Sequence, residues 1–226
     1  MNSLSIIEET LNMNAVNKVV LLALLSTLWG CTNSLQVKGD LPTPLISAIP
    51  QSLGVLYDDD FKNYVYTEKS KDRGKWIIDN GDAQVQLFQN VMPKLFSHVE
   101  EVNALPSAQA PADTDLVIHP KVTDFQYSVP RETKFKIFEV WIKYNLTVYD
   151  AQGDLIADWI ATAYGKTPTA FMQSNEEAMN AAVIVALRDL GANLSIGALR
   201  VPEIKAWLQS LPSDPPIEPQ TTQAEG

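Results

Sequence analysis

The stretch from 136 to 150 constrains the fold more than any other part of this chain of 226 residues. Apolar and polar side chains alternate along it, and successive side chains of a β-strand point to opposite faces of a sheet. The polar face comprises Glu139, Lys143, Asn145 and Thr147. The apolar face comprises Phe138, Val140, Ile142, Tyr144, Leu146 and Val148. This pattern is typical of an antiparallel sheet with one buried face.

Other segments also carry strand signals, and one of them forms a hairpin with 136–150. The residues Ala-Gln-Gly-Asp at 151–154 predict a tight turn, after which 155–165 returns as the partner strand. The remaining strand segments are 52–59, 63–69 and 115–129, the last with an irregularity at Pro120.

The first helix is predicted between the second and third strands. Residues 84–102 have apolar side chains at helical spacing, and Asp82 is positioned to cap their start. Pro93 lies inside this pattern and predicts a kink or a break into two pieces, because proline removes a backbone hydrogen bond.

Two more helices end the folded part of the chain. Ser174 and Glu177 have the spacing of a capping box and predict a long helix from about 175. The segment 202–210 predicts a short amphipathic helix. The order, approximately β-(β)-α-β-β-β-α-α, predicts an α+β fold in which helices pack on one face of a mostly antiparallel sheet.

The amino-terminal region has the pattern of an export signal. An apolar run at 19–29 follows Lys18, ends at Gly30-Cys31, and is too short to span a membrane comfortably. The sequence Leu-Trp-Gly-Cys at 28–31 resembles the lipobox of bacterial lipoproteins, with Trp29 where a small residue is usual. That resemblance implies a diacylglycerol group on Cys31 and cleavage just before it.

Four zones are expected around this signal. Residues 1–30 form the signal peptide, although Met13 makes a better start because 1–12 are acidic and lack a basic residue. Residues 31–50 are expected to form a lipidated flexible tether, 51–210 a single α+β periplasmic domain, and 211–226 a disordered tail. Since Thr32 rather than Asp follows Cys31, the resemblance implies attachment to the outer membrane, facing the periplasm.

Charge and cysteine content exclude several classes of function. The net charge of −10 argues against nucleic-acid binding and against a polybasic patch for anionic lipid headgroups. Cys31 is the only cysteine, so an intrachain disulfide or a cysteine-based metal site is impossible.

The sequence offers no catalytic motif and predicts that the protein is not an enzyme, with no catalytic, metal or cofactor residues. Only His98 and His119 are present, and both are interpreted as surface or packing residues. The triplet 58–60, three aspartates, lacks the spacing of a calcium loop and is interpreted as a solvated strand end. Asp124 with Glu139 would serve a glycan hydrolase only if the two carboxylates lay about 5–10 Å apart in a cleft.

Three aromatic residues are candidates for binding a protein partner. Trp141, Trp159 and Tyr164 fall close together in the predicted hairpin, and aromatic side chains concentrate at interface hot spots. Core packing is the favoured interpretation of the group, and a partner-binding surface is the alternative. Trp141 is the exception, since it falls on the polar face, where a large ring needs cover from a helix of the same chain or from a partner.

The favoured hypothesis is a non-catalytic accessory lipoprotein that docks other envelope proteins in an assembly, transport or secretion complex. The order of elements together with the lipobox resembles small α/β envelope lipoproteins, such as activators of penicillin-binding proteins and the secretion lipoproteins of the curli and exopolysaccharide systems. The alternatives are a periplasmic carrier of lipid or another hydrophobic ligand, which needs an apolar pocket, and a cell-wall or glycan hydrolase.

Overall fold

The computed structural model describes residues 32–41, 43–168 and 174–212. These residues form an α+β domain with two sheets. The larger sheet has five strands in the order β5-β2-β6-β7-β8. Its strands are β2 (Ile49–Leu56), β5 (Phe96–Val102), β6 (Leu116–Ser128), β7 (Ile137–Asp150) and β8 (Leu155–Pro168).

The β7–β8 hairpin confirms the alternation read from the sequence. A turn at 151–154 joins the strands, and Gly153 occupies it with a φ of 92°, which an L side chain rarely adopts. All six apolar side chains predicted to face inward on β7 are at most 3% exposed. The helices contact this face of β7 and β8, so the apolar stripe of the sequence is the floor of the core.

A smaller sheet contains the strands β1 (Thr32–Gln36), β3 (Val65–Ser70) and β4 (Gly74–Asp79), in the order β1-β4-β3. It packs on the same core, where the Trp76 ring lies 6.0 Å from the Phe138 ring and 5.8 Å from the Tyr127 ring. The prediction of a flexible tether over 31–50 is therefore wrong at its start. Strand β1 pairs with β4, and neither strand was predicted from the sequence. The polar composition of β1 gives no strand signal.

The sheets are mixed rather than mostly antiparallel. Strand β2 runs parallel to both β5 and β6, and β1 runs parallel to β4. The antiparallel pairs are β3 with β4, β6 with β7, and β7 with β8. The parallel orientation of β2 and β5 depends on the helix in the connection between them. The bounds predicted for that helix from the sequence are wrong.

Helix α1 (Asp59–Lys62) is a single turn, and α2 (Gly81–Leu95) is the first long helix. Helix α2 ends two residues after Pro93, and the rest of the predicted helix, 96–102, is strand β5. The least exposed residues of β5, which are Phe96, Val99 and Val102, are three apart; this mimics helical spacing and led to the wrong prediction of a helix. Asp82 is not the cap either, because the helix begins one residue before it.

Helix α3 (Asn175–Gly197) starts at the predicted capping box, in which the Glu177 amide donates to Ser174 Oγ and the Ser174 amide donates to Glu177 Oε2. It crosses β8 and β7 on the core face. By length and composition α3 could span a membrane, but half of its most apolar stretch is buried inside the domain. A short 3₁₀ turn (Ala198–Arg200) and helix α4 (Pro202–Ser210) follow, with Pro202 in the first turn as predicted.

Candidate functional site: the open face of the sheet

The face of β6, β7 and β8 opposite the helices is uncovered by the described part of the chain. We call it the open face; it comprises the outward residues of 121–128, 139–147 and 158–166. None of these outward side chains is buried. A register shift between Val122 and Asp124 keeps Asp124, Gln126 and Ser128 on this face while Phe125 and Tyr127 point into the core.

Trp141 and Tyr164 form the aromatic centre of the open face. They are directly opposite each other on β7 and β8, with ring centroids 5.2 Å apart and ring planes inclined by 34°. The Tyr164 amide donates to Asp189 Oδ2 of α3 at 3.0 Å and therefore points away from β7. The pair is thus a non-hydrogen-bonded one, in which cross-strand side chains approach most closely.

A hydrogen bond fixes the position of the Tyr164 ring. Its hydroxyl donates to Glu139 Oε1 at 2.8 Å. Partial burial raises the pKa of Tyr164, and the hydrogen bond to Glu139 together with the charge of that carboxylate raises it further. Tyr164 therefore stays protonated and continues to donate near neutral pH. The Tyr164 ring is therefore held in place beside Trp141.

Charged groups flank the aromatic pair along the strands. Lys143 Nζ lies 3.6 Å from Asp124 Oδ2, and Gln126 Nε2 donates a hydrogen bond to the same oxygen at 2.7 Å. Gln126 lies opposite Trp141 on β6. Aromatic rings bordered by polar groups are the composition of protein-binding surfaces.

Trp159 does not belong to this group, so the expected cluster of three aromatics is divided between two faces. It lies opposite Leu146, on the core face, and packs beside Leu199 and Ile204 at a cavity of about 20 Å³. That volume admits about one water molecule. The strand register decides which face each ring occupies, and the sequence did not provide the register.

Strand β8 is an edge of the sheet, and α3 occupies part of that edge. Besides Asp189 on the Tyr164 amide, Asn193 Nδ2 contacts the Thr162 carbonyl at 3.5 Å. Ile160, farther along β8, is 54% exposed on the open face. The role of Asp189 was missed because nothing in the sequence shows that α3 lies along β8.

The polar residues considered for catalysis do not assemble into a site. Asp124 and Glu139 lie on the open face rather than in a cleft. Asp124 pairs with Lys143, which is four residues from Glu139, so the backbone positions of the two acidic residues are roughly 13 Å apart along the strands. Among the described residues no group of three or more His, Cys, Asp or Glu side chains could hold a metal ion.

The two histidines have different settings. His98 is an exposed residue of β5, 3.8 Å from Glu100. His119 is 9% exposed, and its Nε2 lies 2.8 Å from Asp58 Oδ2. Asp58 also accepts from the Phe61 amide and caps helix α1, so it is a structural residue and not simply a solvated strand end. Cys31, the predicted lipidation site, lies outside the described residues and directly precedes β1.

No protein-family model matches the chain, and no curated protein is significantly similar to it in sequence. A crystal structure of a protein of the DUF330 family from Xanthomonas campestris has the same fold: it is 11% identical, with a TM-score of 0.52 over 79% of this chain and 100% of that one.

Two further neighbours are lipoproteins. A solution structure of lipoprotein B from Nitrosomonas europaea is 13% identical, with a TM-score of 0.39 over 76% of this chain and 94% of that one. A minor lipoprotein from Acinetobacter baumannii is 12% identical, with a TM-score of 0.36 over 66% and 90%. Bacterial lipoproteins are therefore among the structural neighbours of this chain.

Proposed function

We propose that this protein is a non-catalytic lipoprotein, anchored by lipid on Cys31, whose open face docks another envelope protein. The observation that carries the proposal is the Trp141–Tyr164 pair, which is ordered on a sheet face that no described element covers. In a domain that buries the other face of the same strands, an uncovered aromatic pair is suited to an external partner.

The rigidity of the pair supports this role. Tyr164 is fixed at its hydroxyl by Glu139 and at its amide by Asp189. A partner that packs on these rings does not have to order them first, which lowers the entropic cost of binding. The polar groups around the rings supply the hydrogen-bonding rim of such an interface.

The anchor supports a location at a membrane. The lipobox resemblance places acyl chains on Cys31, and strand β1 begins at the next residue. Two or three acyl chains give stable attachment, and Thr32 after the cysteine favours the outer membrane with the domain facing the periplasm. An accessory component of an envelope assembly, transport or secretion complex needs this combination of an anchor and a docking face.

The packing of the interior argues against the carrier hypothesis. The apolar cavity beneath α4, lined by Leu53, Met92 and Trp159 among others, holds about 20 Å³. Ligand pockets generally hold about 300–1,000 Å³, so an acyl chain does not fit there.

The first experiment tests the anchor. Intact mass spectrometry of the protein purified from membranes should show cleavage before Cys31 and the added mass of acyl groups. The Cys31→Ala variant should lack both changes. An unacylated wild-type chain in the soluble fraction would contradict the proposal.

The second experiment tests the docking face. A photocrosslinking amino acid at position 164 should capture a discrete envelope protein in living cells, whereas the same group at Ile196, 62% exposed on α3, should not. Trp141→Ala should lower the yield at position 164 by about tenfold or more, as hot-spot truncations do. Ile160→Ala, an apolar truncation on the same face, serves as the matched control and should change it little. Equal yields at 164 and 196 would refute the assignment of the face.

A further inference from the structure

The end of the domain where the chain enters from Cys31 carries exposed positive charge. Thr32 pairs with Lys75, beside the turn that joins β3 to β4, and the loop 129–136 borders the same turn across a cleft of about 570 Å³. Lys166 lies on β8 opposite Glu139, at this end of the sheet. The exposed cations here that form no ion pair with another described residue are Lys69, Lys71, Arg131, Lys134, Lys136 and Lys166. The carboxylates on the same turn and loop are fewer: Glu68 and Glu132 pair with Arg73, and Asp72 is exposed beside Lys71.

Phe135 projects from the loop 129–136 between two of these lysines. It is 77% exposed and is the one exposed aromatic side chain among the described residues. The loop that presents it is well fixed. Arg73 Nε donates to Glu132 Oε1 at 2.9 Å, and Thr133 exchanges two hydrogen bonds with the backbone of Ile137. The loop therefore holds the exposed Phe135 ring in a defined position on the surface.

The opposite end of the sheet is richer in acidic groups, even though Glu101 there pairs with Lys62 and the neighbouring helices α2 and α4 add the exposed Lys94 and Lys205. The β7–β8 turn and the segments beside it carry acidic residues, namely Glu100, Glu101, Asp113, Asp115, Asp150 and Asp154. The net charge of −10 therefore conceals a separation of charge along the strands. At physiological salt, charges interact over about 8 Å, so a surface responds to local charge rather than to the sum over the chain.

We propose that the basic end, with Phe135 at its tip, docks on the anionic phospholipid headgroups of the membrane that the lipid on Cys31 enters. This inference rests on the proposed lipidation of Cys31. Cys31 precedes Thr32 directly, so the acyl chains enter the bilayer beside the lysines, where attraction to anionic headgroups is strongest. An exposed aromatic ring flanked by lysines has the composition of an interfacial anchor.

This orientation gives the open face a defined position. Strand β7 rises from the basic end, and Trp141 is four residues from Ile137, the first residue of β7, or roughly 13 Å along the strand. The acidic end points away from the anionic surface. A partner that binds Trp141 and Tyr164 therefore lies close to the membrane.

The test places an environment-sensitive fluorophore at position 135 through Phe135→Cys, in the full acylated protein reconstituted in vesicles. Acylation blocks Cys31, the only other cysteine, and intact mass verifies it. The matched control is Leu155→Cys, since Leu155 is 60% exposed at the acidic end. We expect blue-shifted, brighter emission at 135 in vesicles of phosphatidylcholine with phosphatidylglycerol, less in phosphatidylcholine alone, and no change at 155 in either.

Charge reversal distinguishes electrostatic docking from an effect of the fluorophore itself. Lys71→Glu with Lys134→Glu should lower the ratio of docked to undocked protein by about tenfold or more. Lys94→Glu with Lys205→Glu makes the same change in net charge on α2 and α4 and should leave the ratio unchanged. Equal emission at 135 and 155, or equal effects of the two double variants, overturns the inference. An unacylated mass overturns the proposed function separately; Cys31 is then free to react, so the comparison of 135 with 155 is repeated with Cys31→Ser added to both variants.

Discussion

The two faces of strand β7 have the same backbone but different environments. Ile142 is fully buried beneath the helices, and its neighbour Trp141 lies on the open face with Tyr164 stacked against it. Successive residues of β7 therefore alternate between the core and the surface. Alternation therefore identifies the face that the chain covers by itself. A large ring on the other face is not explained by packing of the core.

Truncation of both neighbours tests the difference between the two faces and has the largest expected effect. Ile142→Ala should lower the free energy of unfolding by about 2–5 kcal/mol, because it leaves a cavity in a packed core. Trp141→Ala should cost less than about 1.5 kcal/mol, since it removes mainly a cross-strand ring contact on a partly solvated face. Urea denaturation of the two variants measures both values.

The contrast in binding should run the other way. Trp141→Ala should weaken partner capture, and Ile142→Ala should not do so at temperatures where it remains folded. If Trp141→Ala destabilises the domain as much as Ile142→Ala, the ring is a core residue and the open face loses its functional assignment.

The same alternation explains what the sequence could and could not predict. Period-two and capping signals located β6, β7, β8 and the start of α3, because these depend on local side-chain pattern. Strands β1 and β5 were missed, since β1 has no pattern of its own and the least exposed residues of β5 are three apart, as in a helix. Trp141 was correctly placed on the polar face, but Trp159 and Tyr164 could be assigned only after the register was known.

Helix α3 approaches β8 closely at Gly165, where the strand has no side chain. A Cβ at Gly165 would lie 2.0 Å from the Ala182 carbonyl oxygen and 2.4 Å from the Ala186 amide nitrogen, both rigid backbone atoms. Gly165→Ala should therefore push α3 from the sheet and cost about 1–3 kcal/mol. Gly197→Ala is the matched control, because a Cβ there meets no atom within 4 Å.

Thermal melting of these two variants tests whether close helix packing is what keeps the helical face covered. The Gly197 variant should melt at or slightly above the wild-type temperature, since alanine favours helix over glycine. Comparable losses in both variants would show that α3 does not depend on close approach to β8.

The smallest expected effect concerns the boundary of the open face. His119 lies opposite Thr147, on the open side of the sheet, yet Asp58 covers it. Partial burial raises the pKa of Asp58, but hydrogen bonds from His119 and the Phe61 amide and the charges of His119 and Lys121 more than offset this, so the pKa lies below its ordinary value of 3.8. The ionised carboxylate therefore stabilises the fold above pH of about 4, and this contribution is lost as pH falls through the lowered pKa.

Asp58→Asn keeps a good cap for α1 but removes the charge, at an expected cost of about 1 kcal/mol near neutral pH. The difference in unfolding free energy between wild type and variant should be constant above pH of about 5 and shrink on further acidification. Asp60→Asn removes a charge from the same triplet without touching His119 and should show little of this dependence. A difference for Asp58→Asn that stays flat down to pH of about 2 would mean that ionisation of Asp58 does not stabilise the fold.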